Sequence, residues 1–520
     1  MVIDAQQELA MSDIVLGRFI EELNNTLYSE TQRLKKLADF SASDLIKMSG
    51  HDLQGLLSGH PKALANKGRM GWGSKELEQF SPESGGQFQL RYVAVSNHLL
   101  ESGLNDGLTK LDLLKHSLNS FQMSHLEEVL QRRKLHLQDY WVIPVHPWQW
   151  QAFIEIQFAR DIANGNIVDL GTHGDYYCAQ QSIRTLSNVT RPNKFDIKLP
   201  LTILNTSCYR GIPGKHIATG AELSNWLGTV VKNDPFLTES NLLVQQEKAG
   251  VHVNHSIQSQ LSETPYRYNE MLGVVWRDSL ESFIDVAALT STEDTEVGIL
   301  MATLMETDIH GRPLITEYIK QSKLSTEDWL SALFDTVVVP LYHLLCYYGV
   351  GVIAHGQNIS LILRNGIPVK ASIKDFHGDL RIVDQDFPQL ESMPEKVKAA
   401  LTRLPAEHII HDLVTGHFVT TLRFISPLLE SNHLDEQYRF SESKFYALMR
   451  ARIESYMANH SSLSERFDVF PLFNKTILKI CINRVRFRIG YNDDAQRPIP
   501  ELGTPLTNPL ATHPITEESK

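Results

Sequence analysis

Residues 351–376, GVIAHGQNISLILRNGIPVKASIKDF, leave this chain few ways to fold. Asn365-Gly366 sits between two largely apolar runs, ISLILR and IPVKASI. Both central residues of a type I′ turn need positive φ, which Asn and Gly tolerate best, so the pair marks a tight hairpin. With the run that precedes it, the segment reads as three strands. Closing the hairpin brings His355 and Asn358 beside Asp375 at its open end. An Asn and an Asp offering oxygens at one place is how many nucleotide enzymes hold Mg²⁺ against a triphosphate.

The chain has 520 residues, 42% of them apolar. One ordinary core serves roughly 100–200 residues, so two or three lobes are expected. The formal net charge of -12 argues against nonspecific nucleic-acid binding, which needs a basic surface. A local basic pocket for an anionic ligand stays compatible with it. Cys178, Cys208, Cys346 and Cys481 form no CxxC pair and are expected as reduced thiols. The first residues lack a basic region followed by an apolar stretch, so no secretory signal is read. The most apolar run, 337–352, is broken by Pro340, His343 and Gly349 and is too short to cross a bilayer. A cytoplasmic protein without membrane attachment is expected.

Helical spacing runs from Ile14 to Leu57, with Ser43 as a cap candidate, and again over about 98–137. WVIPVHPWQW reads as a strand ending in a turn, because Pro144 and Pro147 stop regular continuation. Strand character covers 176–210. Residues 325–349 read as a helix pair or one broken helix, and 405–429 and 440–460 return to helical period. The end, from about Gln496, reads as irregular.

Three polar constellations stand out beyond the core pattern. Ser182, Arg184 and Thr185 precede Lys198, Thr206 and Arg210 on strand-like segments. Three cations and three hydroxyls suit a polyphosphate, because Arg offers a planar fork and Lys a point charge. The bland alternative is a surface ladder of charges. His60 lies in SGHPK, and Lys67 and Arg69 follow in NKGRMGWG. A glycine-rich turn with His and cations suits a carboxylate, or an acid or base near an acyl group. It is not a Walker motif. Third, in HPWQW, Trp148 and Trp150 read as core anchors sooner than cleft walls. Glu270, Arg277 and Glu306 read as cleft-liners without an independent signal. His343, His411 and His417 lie in apolar helical runs and read as satisfied buried histidines.

Taken in order, SGHPK, NKGRMGWG, PVHPWQWQ, QQSIRTLSN, DIKLPLTILNTSCYRGIPG, PYRYNEMLGVVWR, GVIAHGQN and IKDFHGDLRIV resemble the NRPS-independent siderophore synthetases of the aerobactin-synthase type. The resemblance spans about Ala42 to Phe473. It implies an α+β, multi-lobed fold shaped as a cupped hand of thumb, palm and fingers, with antiparallel sheets and helices. The expected division is a helical thumb segment at 1–57, a phosphate-binding fingers region at 58–280, a palm with the HGQN hairpin at 281–495, and a tail at 496–520. Because the chain starts close to its first shared helix, a reduced thumb is expected.

The resemblance also implies site roles. Ser182, Arg184 and Thr185 match the triphosphate-binding Ser-x-Arg-Thr, and Lys198, Thr206 and Arg210 the next nucleotide contacts. His355, Asn358 and Asp375 match the group around the Mg²⁺-bound phosphates, with Asn358 and Asp375 as metal ligands. His60, Lys67 and Arg69, with Arg184, match catalytic positions near the acyl-adenylate. Ile353 stands where many relatives carry an acid, which shifts the expected metal contact towards Asp375. The implied protein is a homodimeric, ATP- and Mg²⁺-dependent ligase. It would adenylate a small-molecule carboxylate and condense it with a hydroxamate-bearing amine. Within the family, N-hydroxy-N-succinyl-diamine units as in putrebactin or bisucaberin are the alternative substrates. A kinase-like phosphotransferase or a ferric-siderophore binding protein are the alternatives of another class.

Overall fold

The computed structural model describes residues 3–4, 6–206, 208–261, 264–285, 294–376, 378–480 and 502–511. Its largest element is an eight-stranded antiparallel sheet. In chain order these strands are β1 (Gln87–Ser96), β2 (Leu100–Leu104), β3 (Tyr140–Val145), β4 (Ile167–Ala179), β5 (Thr185–Asn188) and β6 (Asp196–Lys198). After the short hairpin β7 (Leu201–Asn205) and β8 (Cys208–Arg210) and the strand β9 (Leu242–Val244) come β10 (Glu247–Val253) and β11 (Gly273–Arg277). The spatial order is β2-β10-β11-β6-β5-β4-β1-β3.

A second sheet orders β12 (Glu296–Leu300), β14 (Ile359–Arg364), β15 (Ile367–Ile373) and β9. A third holds β13 (Val350–Val352), β16 (Leu380–Val383) and β17 (Thr402–Leu404). Thus the three strands expected around HGQN all form, but the first belongs to a different sheet from the hairpin. Asn365 and Gly366 have φ of 50° and 81°, as the tight turn requires.

Two large apolar cores result among the described residues. One packs the large sheet through Tyr92, Val93, Ile143 and Trp276. The other gathers Leu45, Leu53, Leu227, Trp329, Tyr342 and Phe445 around the second sheet. Residues from the early helices and from helix Ile217–Asn233 therefore share a core with the C-terminal half.

The run 326–348 is one broken helix. Pro340 has no N–H for a bond four residues back, and a wider π turn at Phe334–Val338 takes up the mismatch. Of this stretch's most apolar window, 83% is buried inside the protein. His343 contacts Tyr456 Oη at 2.8 Å and Asp234 at 3.1 Å, and His417 bonds Ala354 O at 2.9 Å. Cys178 and Cys346 are buried thiols, and Cys481 lies outside the described residues.

Three local expectations need correction. Ser41, not Ser43, caps the helix at Ala42–Leu45, in a reciprocal box with Asp44. Residues 100–104 form the edge strand β2, because pairing with β10 outweighs helical spacing. The stretch Leu502–Thr507 is a strand paired with Thr476–Ile480, not irregular tail.

Candidate active site

The polar face of the large sheet is written in its register. Side chains two apart on a strand share a face. Asp196 and Lys198 therefore point the same way, and their cross-strand neighbours are Arg277 and Thr185. The Ser182–Thr185 turn that leads into β5 is tightly held. Ile183 adopts φ 64°, unusual for a β-branched residue, with its side chain only 1% exposed in the sheet core. Thr185 N donates to Ser182 Oγ at 3.3 Å. The Arg184 guanidinium donates to Gly211 O, tying this turn to the end of the β7–β8 hairpin.

The open end of the β14–β15 hairpin faces this surface. Lys374 N donates to Asn358 O at 3.2 Å, and Asn358 N to His355 O at 2.9 Å. The Asn358 amide donates to Ile353 O at 3.0 Å and to Asp379 Oδ2 at 3.1 Å, leaving its Oδ1 as an acceptor. Asp375, at φ 69°, forms an ion pair with Lys198 of the large sheet.

The electrostatics join the two groups. Burial pushes the Asp375 carboxyl up, but Lys198, Arg277 and Arg184 outweigh it and hold the group well below the usual carboxylate range. Lys374, itself buried, is pushed down to about 7 by burial and by Arg277. His355 is lowered by burial against the opposing pull of Asp379 and Asp375. His60 stands beside it, ring centroids 6.5 Å apart and nearly perpendicular. Burial and His355 lower His60 to about 4, so it is neutral at pH 7.

Lys67 and Arg69 sit elsewhere, inside a buried ionic network. Lys67 pairs with Glu30 and lies 3.3 Å from Glu83, while Arg69 grips Glu83 with bonds of 2.7 and 2.9 Å. Their charges are neutralised by residues of this network. What Arg69 passes towards the β7–β8 hairpin is its backbone N–H, which donates to Asn205 Oδ1 at 3.3 Å. On that hairpin the Arg210 guanidinium donates to the Thr206 hydroxyl. Gln149 is buried and bonds Thr202 and Met271 O, as a core tie.

Among the described residues no three His, Cys, Asp or Glu side chains are placed to hold a metal by themselves. Asp375 and Asn358 Oδ1 do suit Mg²⁺, which binds through one or two protein oxygens and completes its shell with phosphates and water.

The profile described as "IucA / IucC family" matches residues 52–306. An aerobactin synthase of Escherichia coli is 42% identical over 98% of this chain and 85% of its own length. The chain belongs to the IucA/IucC family. An aerobactin synthase of Vibrio mimicus is 40% identical, covering 98% of this chain and 83% of its own. The structure of the aerobactin synthetase IucC from a hypervirulent pathotype of Klebsiella pneumoniae matches with TM-score 0.85 and 41% identity, over 98% of this chain and 85% of that one. A profile described as "Ferric iron reductase FhuF-like transporter" matches residues 327–495, the part that carries the HGQN hairpin.

In this IucA/IucC chain the fold brings to the site four residues that sequence reasoning left out, Gln180, Asp196, Lys374 and Asp379, together with Arg277, which it had read only as a cleft-liner. Arg277 is 2% exposed and donates to Asp196 at 3.2 Å, and its buried Nε meets no partner among the described residues. Gln180 also donates to Asp196, at 2.7 Å. Lys374 and Asp379 flank Asp375. Asp379 supplies an acid beside Asn358, near the position that Ile353 leaves apolar. The available signal was a charge within an apolar strand, as in GVVWR and in DIK, which holds two.

Proposed function

We propose that the chain is an aerobactin-synthase-like ligase. The acid would be a citryl monoamide of N6-acetyl-N6-hydroxylysine, and the amine a second N6-acetyl-N6-hydroxylysine. One observation carries it: the cation-bearing face of the large sheet meets the Asn358–Asp375 hairpin through the ion pair of Lys198 with Asp375. That pairing of a phosphate-type surface with a metal-type hairpin suits MgATP. The identity to aerobactin synthases over most of both chains favours the substrate.

In the first half-reaction a carboxylate oxygen bonds to the α-phosphorus of ATP, and pyrophosphate leaves with the electron pair. Ser182, Arg184, Thr185 and Lys198 hold the phosphates, and Arg277 adds charge from the same face. Thr206 and Arg210, on the hairpin tied to Arg184 through Gly211, add nucleotide contacts beside them. Neutral His60, beside His355, is placed to accept a proton near the acyl group. In the second half-reaction the amine nitrogen bonds to the acyl carbon, the bond to AMP breaks, and one proton is released. Asn358 and Asp375 would hold Mg²⁺, which supplies charge neutralisation between phosphate oxygens. Most of the rate enhancement then comes from positioning and electrostatics. Lys67 and Arg69 act in this scheme through the hairpin they support. The active form is a cytoplasmic homodimer, which light scattering would test.

The experiment is hydroxylamine-trapped adenylation with three acids: citrate, citryl-hydroxylysine and a succinyl-hydroxydiamine. Citryl-hydroxylysine should release AMP and pyrophosphate fastest. Preferred turnover of the succinyl acid would move the chain to the putrebactin type of reaction. ADP as the product would make it a phosphotransferase.

A further inference from the structure

His60 and His355 face each other with ring centroids 6.5 Å apart, yet they come from opposite halves of the chain. One short stretch, residues 300–306, touches the surroundings of both. On the hairpin side, Ala302 N donates to Gly356 O at 2.8 Å, and a Cβ added to Gly356 would lie 3.0 Å from Ala302 Cα. On the His60 side, Leu57 packs with Leu300 and Ala302 in a small apolar cluster. Glu306 Oε1 then accepts two hydrogen bonds from Ser58, from its N–H at 2.7 Å and from its hydroxyl at 2.6 Å. The stretch is itself firmly seated. It forms the 3-10 turn Met301–Met305, with Met301 and Leu304 buried, and Leu314 N donates to Glu306 O at 3.0 Å.

The residues leading to His60 are held one after another by buried charges. Arg33 donates to Leu56 O at 3.0 Å, Lys67 donates to Leu57 O at 3.1 Å, and Glu306 takes both donors of Ser58. All three charged side chains are buried. A hydrogen bond to a charged group is stronger than a neutral one, and stronger again where water is excluded. The Asn66 amide closes the turn, donating to Ser58 O at 3.3 Å and to His60 O at 3.4 Å. Gly59, at φ 102°, permits this, since a Cβ there would lie 3.0 Å from Asn66 Cγ. Arg33 and Lys67 belong to the same N-terminal region as the turn. Of the three clamps, Glu306 is the one that ties it to the stretch packed on HGQN.

We infer that Glu306 is a positioning residue of the ligase: through Ser58 it sets where the His60 imidazole stands against His355. This rests on the role given to His60 above and adds what holds that group in place. A carboxylate suits the task, because one of its oxygens accepts an N–H and an O–H together. Burial pushes the Glu306 carboxyl up, and Ser58, Arg33 and Lys67 oppose the rise. The effect on the reaction is indirect. Catalysis by a positioned side chain falls steeply once that side chain is displaced.

The test is a double-mutant cycle on amide formation from citryl-hydroxylysine and N6-acetyl-N6-hydroxylysine at saturating MgATP, with thermal melting as the check on folding. His60→Ala should lower kcat by about 10²-fold, as loss of an acid or base does. Glu306→Ala should lower it by about 10-fold or more in the wild-type background, the scale of a displaced catalytic group. In the His60→Ala background the same substitution should cost no more than about twofold, because the group it positions is gone. An unchanged Glu306→Ala rate, or equal losses in both backgrounds, overturns the inference. Glu306→Gln keeps an oxygen for Ser58 and should stay within about threefold of wild type, whereas a loss as large as that of Glu306→Ala overturns the inference too. If Glu306→Ala does not fold, Ser58→Ala runs the same cycle by removing the hydroxyl bond alone. Its loss of about threefold should vanish in the His60→Ala background, and an unchanged rate or an additive loss overturns the inference. A His60→Ala enzyme with the wild-type rate defeats the role of His60 itself, and the inference with it. A slow His60→Ala enzyme with additive losses defeats only the positioning by Glu306.

Discussion

Arg184 reaches Gly211 O and also acts electrostatically on Asp375, so one side chain links the β7–β8 hairpin to the hairpin that carries Asp375. Arg184→Ala is expected to cut AMP formation with every acid by about 10²–10³-fold, as loss of a transition-state charge contact does. Hydroxylamine trapping measures it. Lys67 and Arg69 lead to a different expectation. Their partner Glu83 is 4% exposed, so Arg69→Ala leaves a buried carboxylate uncompensated and should cost about 3–5 kcal/mol in urea unfolding. Burial pushes Glu83 up, but Arg69 and Lys67 prevail and lower it to about 2. Its folded value lies below its unfolded one, so it stabilises the fold near neutral pH, and that contribution is lost as pH falls from about 4.5 to about 2. The stability gap between wild type and Glu83→Gln should therefore narrow on acidification from about pH 6 to pH 3. At this scale His355, Asn358 and Asp375 were legible because a local hairpin alone brings them together. The partners of Lys67 and Arg69 were not, since Glu30 comes from a distant helix and Glu83 from a separate loop.

The β14–β15 hairpin is the element that presents the metal-type residues, and its turn fixes their register. Gly366 combines φ 81° with a crowded position: an added Cβ would lie 2.5 Å from Tyr318 O. Gly366→Ala should thus lower stability by roughly 2–3 kcal/mol, seen as a fall in Tm, through strain and steric conflict together. Trp329 Nε1 donates to Gly366 O at 2.8 Å, so the broken helix at 326–348 would feel the same change. The Asn-Gly turn and the broken helix were readable because Pro, Gly and Asn act locally. The cap at Ser41 was misplaced because two serines two residues apart both suit the role, and only the backbone decides. The edge strand at 100–104 carries Leu100 and Leu104 at helical spacing, and its pairing partner lies about 150 residues away, beyond local pattern.

At the scale of the molecule, two cores enclose one charged seam. The order of motifs along the chain made the family legible. What stayed hidden was the juxtaposition itself, since Arg277 meets Asp196 by long-range strand pairing within the large sheet and Lys374 reaches them from a separate sheet. If both lobes grip the same nucleotide, a substitution on either one must weaken its binding. Calorimetric titration of MgATP into wild type, Lys198→Met on the large sheet and Asn358→Ala on the hairpin tests it directly, with circular dichroism confirming that each variant is folded. Each variant should lose at least ~10-fold in affinity, about 1.4 kcal/mol. Wild-type affinity in either folded variant would mean that its lobe does not touch the nucleotide, and would contradict a shared cleft.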